Sequence, residues 1–228
     1  GEPDFGRWLY VFGKGACLMN RLMLELKNLR FYFFIPYITM ILAALGVLAT
    51  LKGSNFKDLA ACANIIQIFV SGFAVWWPIF ILKEYLHSPG KELLFVYKSR
   101  KDSLMIKMLL LWGLYAFHAV VFFFYFSTLF KPVIYLFIAT IIQCLFLIGL
   151  AYFLTLLLQN TFIPLIFNFA YVFTLSMVVF SDLPISIFTR GVPDNPGILN
   201  TSVMVLILAG ILFWAGYQME KRLYKNSI

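Results

Sequence analysis

Residues 84–107 read EYLHSPGKELLFVYKSRKDSLMIK and form the longest polar interruption in an otherwise apolar chain. Apolar runs lie on both sides of it, at 59–82 and 108–126. In its middle, side chains follow the spacing of a short amphipathic helix, with Leu93, Leu94, Val96 and Tyr97 among Lys91, Glu92, Lys98 and Arg100. Such a helix can lie across the ends of two membrane-spanning helices and receive a soluble partner, or it can rest on lipid head groups.

The composition sets the broad class of the protein. Hydrophobic residues make up 62% of the 228 residues and charged residues only 12%, whereas a soluble domain has roughly a quarter charged residues. A helix needs about 20 apolar residues to cross a bilayer. We therefore predict an all-α, multi-pass membrane protein, organised as one transmembrane domain over 1–228. The net charge of +8 is explained by basic residues that flank the apolar runs, so we expect no nucleic-acid partner.

The apolar runs predict six transmembrane helices, at 31–51, 59–82, 108–126, 133–158, 162–180 and 198–217. The loop at 181–197 contains three prolines, and we expect short re-entrant pieces at the outer membrane edge. A basic tail, 218–228, follows the last span.

The stretch 5–30 before the first span is amphipathic. Its leucines recur at helical spacing, at positions Leu18, Leu22, Leu26 and Leu29. Arg21 and Glu25 stand at i and i+4 and can form an ion pair. This pattern suits a helix lying in the membrane interface; the alternative is a helix that packs on its own protein.

The basic residues predict the orientation in the membrane. Fourteen of the 18 Lys and Arg residues fall before the first span, in 83–107 or in the tail. The other four are Lys52, Lys57, Lys131 and Arg190. Because cytoplasmic segments carry the excess of Lys and Arg, both termini and the 84–107 loop are expected in the cytoplasm and 181–197 outside. We expect a cell-membrane location, that of a bacterial plasma membrane.

No motif in the chain indicates an enzyme. The GxxxxGK[ST] phosphate loop, HExxH and GxSxG are absent from the sequence. Cys17, Cys62 and Cys144 are far apart and predict no metal site. The predicted spans hold almost no charge, which argues against an ion-coupled transporter. His118, Gln143 and Asn168 fall within spans and form either interhelical hydrogen bonds or part of a substrate path.

The loop resembles one in the permease subunits of ABC transporters of the second exporter type (ABC-2-type permeases). The pattern of that family is matched by Glu84-Tyr85 at its start, Leu93-Leu94 in the middle, Ser99-Arg100 at its close and Lys107 beyond. Ser88-Pro89 and Tyr97 depart from the pattern. The layout is also similar, with an amphipathic helix, six spans, a cytoplasmic loop after the second and a re-entrant loop before the sixth.

The resemblance implies a mechanism and partners. Two permease chains, identical or different, would pair above two separate ATPase subunits, which bind ATP and Mg; this chain would hold no cofactor. The short helix would be the coupling helix, and the residues implied in ATPase coupling are Glu84, Tyr85, Glu92, Leu93, Leu94, Tyr97, Ser99 and Arg100. The chains would meet through the first and fifth spans, where Ala43, Ala44 and Gly46 allow close approach.

The cargo implied is an amphipathic molecule such as a peptide, a drug or a lipid-like compound, moved outward. Two further classes of function fit the same sequence. One is a membrane scaffold or immunity subunit that recruits partners without transporting anything, and the other is a passive channel. Co-purification with an ATPase subunit discriminates the exporter from both.

Overall fold

The computed structural model describes residues 20, 22–50, 56–87, 103–127, 133–177 and 197–226, and every regular element in these ranges is helical. The prediction of an all-α fold is thus confirmed. The α-helices are α1 (Ile35–Thr50), α2 (Phe56–Ile66), α3 (Trp76–His87), α4 (Leu104–Ser127), α5 (Val133–Leu158), α6 (Phe162–Met177) and α7 (Gly197–Asn226). Residues 22–28 form a further N-terminal helical segment, and a 3-10 turn, Arg30–Phe34, leads into α1.

Five stretches of helix are long and apolar enough to cross a membrane, which indicates a multi-pass membrane protein. They are Arg30–Thr50, Ala61–Leu86, Leu104–Phe124, Ile134–Leu158 and Ser202–Leu223. The fifth predicted span, 162–180, corresponds to the shorter α6, whose apolar part is Phe162–Thr174. The predicted re-entrant loop lies outside the described residues except for Gly197, where α7 begins.

Successive helices run in opposite directions between two ends of the bundle. Thr50 Oγ1 lies 2.9 Å from Cys62 Sγ, which places the end of α1 beside α2 at what we name the far end. Tyr85 and Lys107 meet at the opposite end, which we name the loop end. There Tyr152 of α5 also donates a hydrogen bond to Glu220 of α7, at 2.6 Å.

The direction of α6 follows from two ring contacts. Tyr171 of α6 lies 6.2 Å from Phe146 of α5 between ring centroids, and Phe169 of α6 lies 4.9 Å from Phe73 in the middle of the second long helix. Because α6 begins at the loop end, directly after α5, these contacts show that it runs towards the far end. Asn160 starts it, accepting a hydrogen bond from Phe162 N at 2.7 Å.

The second and fourth long helices form the centre of the bundle. Their apolar windows are 67% and 56% buried, against 28–33% for the other three. The most extensive helix contact is between α5 and α7, and glycines make it close. A Cβ at Gly149 would lie 3.1 Å from the ring of Phe213, and one at Gly216 would overlap the ring of Tyr152.

The second long helix is irregular in its middle. A π-helical turn spans Gln67–Ser71, and the Tyr115 hydroxyl donates to the carbonyl of Val70 within it, at 2.5 Å. A turn at 74–75 follows before α3. The irregularity lies N-terminal to Pro78, which occupies the first turn of α3, where proline is tolerated.

The described part of the N-terminal helical segment, residues 22–29, packs on its own protein, and whether it also lies in the membrane interface stays a prediction. Leu22, Leu26 and Leu29 are buried in the main hydrophobic core. Arg30 has a positive φ of 49° and separates the segment from α1. Leu18 and Arg21 lie outside the described residues.

The small residues expected at a contact between chains are used within this chain. Ala43 is fully buried, Ala44 packs against the core, and a Cβ added at Gly46 would lie 3.2 Å from Ile65 of α2. The exposed face of α1 carries larger apolar residues, including Ile41, Leu45 and Leu48.

Candidate functional site at the loop ends

The helices on either side of the predicted coupling loop extend further into it than the sequence suggested. α3 continues through His87 and α4 starts at Leu104, so Glu84, Tyr85 and Lys107 are helical. The bounds 84–107 for the segment between two membrane spans stay a prediction, because a helix can extend beyond the bilayer. Ser103 precedes α4, at the position where serine is favoured as a helix cap, and Lys107 N donates to its carbonyl.

Tyr85 and Lys107 join the two ends of the loop. Lys107 is 2% exposed, and its ammonium donates to the Tyr85 hydroxyl. It also lies 4.7 Å from the centroid of the Tyr85 ring, a cation–π contact. The end of α3 and the start of α4 therefore lie side by side at the loop end.

Glu25 of the N-terminal helical segment completes this contact. Its Oε1 accepts from Lys107 Nζ at 2.5 Å and from the Tyr85 hydroxyl at 2.6 Å. Glu25 forms an ion pair with Lys107, 82 positions away; its predicted pair with Arg21 lies outside the described residues. Oε2 of Glu25 is buried and has no hydrogen-bond partner among the described residues.

Glu220 of α7 caps the start of α4 from the other side. Its Oε1 accepts from Leu104 N at 2.8 Å, and its Oε2 accepts from Met105 N at 3.4 Å and from Ser103 Oγ at 3.3 Å. The Tyr152 hydroxyl donates to Oε2 as well. The first backbone N–H groups of a helix have no partner within it and carry partial positive charge, so a carboxylate there is stabilising.

One turn of α4, residues 103–107, is therefore held by two carboxylates from distant parts of the chain. Glu25 reaches it from the N-terminal segment and Glu220 from the last helix. This turn is also the first described part of the chain after residues 88–102.

The structure tests the positions of few of the predicted coupling residues. Glu92, Leu93, Leu94, Tyr97, Ser99 and Arg100 lie outside the described residues. Tyr85 is buried in the contact above. Glu84 is half-buried, and its carboxyl interacts electrostatically with Glu25 and Lys107.

The polar residues predicted within spans lie in different parts of the bundle. His118 Nδ1 lies 2.7 Å from the carbonyl of Leu114 in its own helix, and its ring contacts Tyr37 at 5.2 Å between centroids. Asn168 is fully buried, and its Nδ2 donates to the carbonyl of Pro164, at 2.9 Å. Gln143 of α5 is also buried.

Sequence reasoning missed Glu220 because it stands in the polar run after the last predicted span. α7 continues to Asn226, so most of the predicted basic tail is helical. A signal was present: the buried face of α7 recurs at helical spacing and Glu220 continues it, after Ser202, Val205, Ala209, Phe213 and Gly216.

Among the described residues, no group of three or more His, Cys, Asp and Glu residues is placed to hold a metal ion. Cys62 and Cys144 are free and buried. No family model, curated protein or solved structure matches the chain.

Proposed function

We propose that this chain is the transmembrane permease subunit of an ATP-driven exporter, and that the loop after the second long helix is its contact with separate ATPase subunits. The observation that carries the proposal is the contact of Tyr85 with Lys107. Both residues belong to the loop pattern of ABC-2-type permeases, and they meet although 22 positions apart. A loop pinned at both ends can act as one rigid body on the helices it joins.

The course of the helices supports six crossings and a cytoplasmic loop. α5 ends at the loop end, whereas α7 reaches the loop end only at its C-terminal part. The chain must therefore return to the far end between them, and α6 runs in that direction. With six crossings, both termini lie on the side of the loop. Fourteen of 18 basic residues then share one side, which the positive-inside rule places in the cytoplasm.

The partners follow from what the chain lacks. Its sequence has no phosphate-binding loop, so ATP and Mg would bind to the partner ATPases. A second permease chain would complete the pathway. On this proposal the cargo is an amphipathic peptide, drug or lipid-like molecule, and the buried polar residues Gln143 and Asn168 are candidates to line its path.

Substitution of Tyr97 by alanine tests the coupling role. Tyr97 would be an aromatic anchor in a groove of the ATPase, and truncating such an anchor costs about 2 kcal/mol or more, roughly a thirtyfold loss of affinity. We expect the Tyr97→Ala chain to insert normally but to retain far less ATPase subunit in pull-down, and to lose transport-stimulated hydrolysis.

A double substitution of Lys98 and Arg100 is the control, since rim charges contribute less to affinity than a buried anchor. Normal ATPase association by both Tyr97→Ala and Leu93→Ala would refute the coupling role of these residues. If no nucleotide-binding subunit co-purifies with the wild-type chain, a scaffold or a passive channel becomes the better hypothesis.

A further inference from the structure

Resting on the proposed function, we infer that Glu220 is a positioning residue that makes the last helix, α7, move together with the end of the coupling loop. Glu220 is 3% exposed and contacts neither nucleotide nor cargo in this role. It joins the first turn of α4 to the closely packed α5–α7 pair.

The link begins at the loop. Ser103, Leu104 and Met105 are the first described residues after it, and all three donate hydrogen bonds to the Glu220 carboxylate. Two of these donors are backbone amides, so the bonds depend on the position of the α4 backbone itself. Hydrogen bonds to a carboxylate are stronger than those between neutral groups. A shift or rotation of the start of α4 must carry Glu220 with it or break them.

The link continues into the pair of α5 and α7. Glu220 stands one turn after Gly216, where the ring of Tyr152 packs against the backbone of α7. The Tyr152 hydroxyl then donates to Glu220, and Phe213 packs against Gly149 one turn earlier. Because this contact has little free space, a displacement at Glu220 moves α7 with α5 rather than bending a side chain.

Other contacts between α4 and α7 are few. The two helices meet over a short stretch, in contrast to the long α5–α7 contact. Most of α7 is exposed to its surroundings along its apolar window. Among the described residues, Glu220 is thus a polar connection by which α4 can act on α7.

The experiment uses the complex of the full chain with its co-purifying ATPase subunits in lipid nanodiscs, with Cys17, Cys62 and Cys144 replaced by alanine. One spin label is placed in the loop at Lys101→Cys, and another on the exposed face of α7 at Trp214→Cys, a side chain that is 64% exposed. A non-hydrolysable analogue of Mg-ATP closes the ATPases. In the wild type, we expect both labels to change mobility on addition of the analogue.

With Glu220→Ala, the loop label should respond as before, whereas the response of the α7 label should be lost. Glu220→Gln keeps an oxygen for Leu104 N but loses the charge, and should lie between the two. Tyr152→Phe is the matched control, because it leaves all three donors from 103–105 in place and should retain most of the response.

The inference is overturned if the α7 label responds as strongly in Glu220→Ala as in the wild type. If only Glu220→Gln accumulates in membranes, an undiminished response of the α7 label in that variant overturns it. A parallel loss at both labels also overturns it, because Glu220 would then act on the loop and not beyond it. A loop label that does not respond in the wild type refutes the proposed function instead.

Discussion

Glu25 and Glu220 bind the same turn of α4 by different means. Glu25 uses one oxygen, which accepts from an ammonium and a phenol, and its other oxygen has no partner among the described residues. Glu220 uses both oxygens, and among the described residues they accept hydrogen bonds from two backbone amides and two hydroxyls. The comparison teaches that Glu25 depends on the charge of Lys107, whereas Glu220 depends on the geometry of a helix start.

The largest effect is expected from removing the charge that Glu25 depends on. Lys107→Met keeps most of the side-chain volume but leaves the Glu25 carboxylate without its cation. Breaking a buried ion pair from one side costs about 3–5 kcal/mol. We expect a loss of this order in the free energy of unfolding, measured by SDS titration of the full chain in detergent micelles.

The control is the double variant Glu25→Leu with Lys107→Met. Replacing both members of a buried pair by apolar residues is often close to neutral, so the double variant should be more stable than Lys107→Met alone. If the losses of stability in Glu25→Leu alone and in Lys107→Met alone add up to the loss in the double variant, the pair is not coupled and Glu25 does not depend on Lys107.

A steric change tests the Glu220 side of the comparison. A methyl group at position 216 would overlap the ring of Tyr152, so Gly216→Ala must displace the ring and with it the donor to Glu220. Overpacking of this kind costs typically 1–3 kcal/mol, and we expect about 2 kcal/mol in the same titration. Exchange of the amide hydrogens of Leu104 and Met105 should also accelerate.

Gly210 on the same helix provides the matched control. A Cβ there meets nothing within 4 Å, and alanine is the better helix former, by up to about 1 kcal/mol. Gly210→Ala should therefore leave stability unchanged or raise it slightly. Equal losses from both glycine variants would show that close packing on Tyr152 is not the cause.

The smallest effects are expected from removing one tyrosine hydroxyl beside each carboxylate. Tyr85→Phe removes a donor to Glu25 and also the acceptor of a hydrogen bond from Lys107, whereas Tyr152→Phe removes one of several donors to Glu220 among the described residues. Each lost hydrogen bond is worth about 1 kcal/mol, and we expect the Tyr85→Phe loss to be the larger, in paired SDS titrations. The reverse order would contradict the view that the Tyr85 hydroxyl links Glu25 to Lys107.

The sequence predicted those parts of the fold that follow from apolar composition. The helix Val133–Leu158 covers the same residues as the fourth predicted span, because a long apolar run bounded by a turn has few other solutions in a bilayer. The contacts of the two carboxylates, Glu25 and Glu220, were harder to predict from the sequence. A local i,i+4 pair is visible along a helix, but the partner that Glu25 uses is brought close only by the packing of three elements.

Glu220 shows the limit of judging polar residues by their neighbours in sequence. It follows an apolar run and precedes Lys221 and Arg222, so its surroundings read as a solvated helix end. Its burial comes from the position of α4, which no local pattern contains. The one feature that pointed to Glu220 was its place in the helical spacing of the buried face of α7.

The π-helical turn at Gln67–Ser71 amounts to one inserted residue absorbed in the second long helix. Each helical residue advances the azimuth by about 100°, so the π-helical turn and the turn at 74–75 together rotate the side chains that follow compared with an uninterrupted helix. These irregularities determine on which side of the helix Trp77 and Tyr85 lie. The indole N–H of Trp77 donates to the carbonyl of Phe33, at 3.1 Å. A regular helix would place other side chains where Trp77 and Tyr85 now lie. The irregular middle of the helix thereby determines whether the Tyr85 hydroxyl faces Lys107 at the loop end.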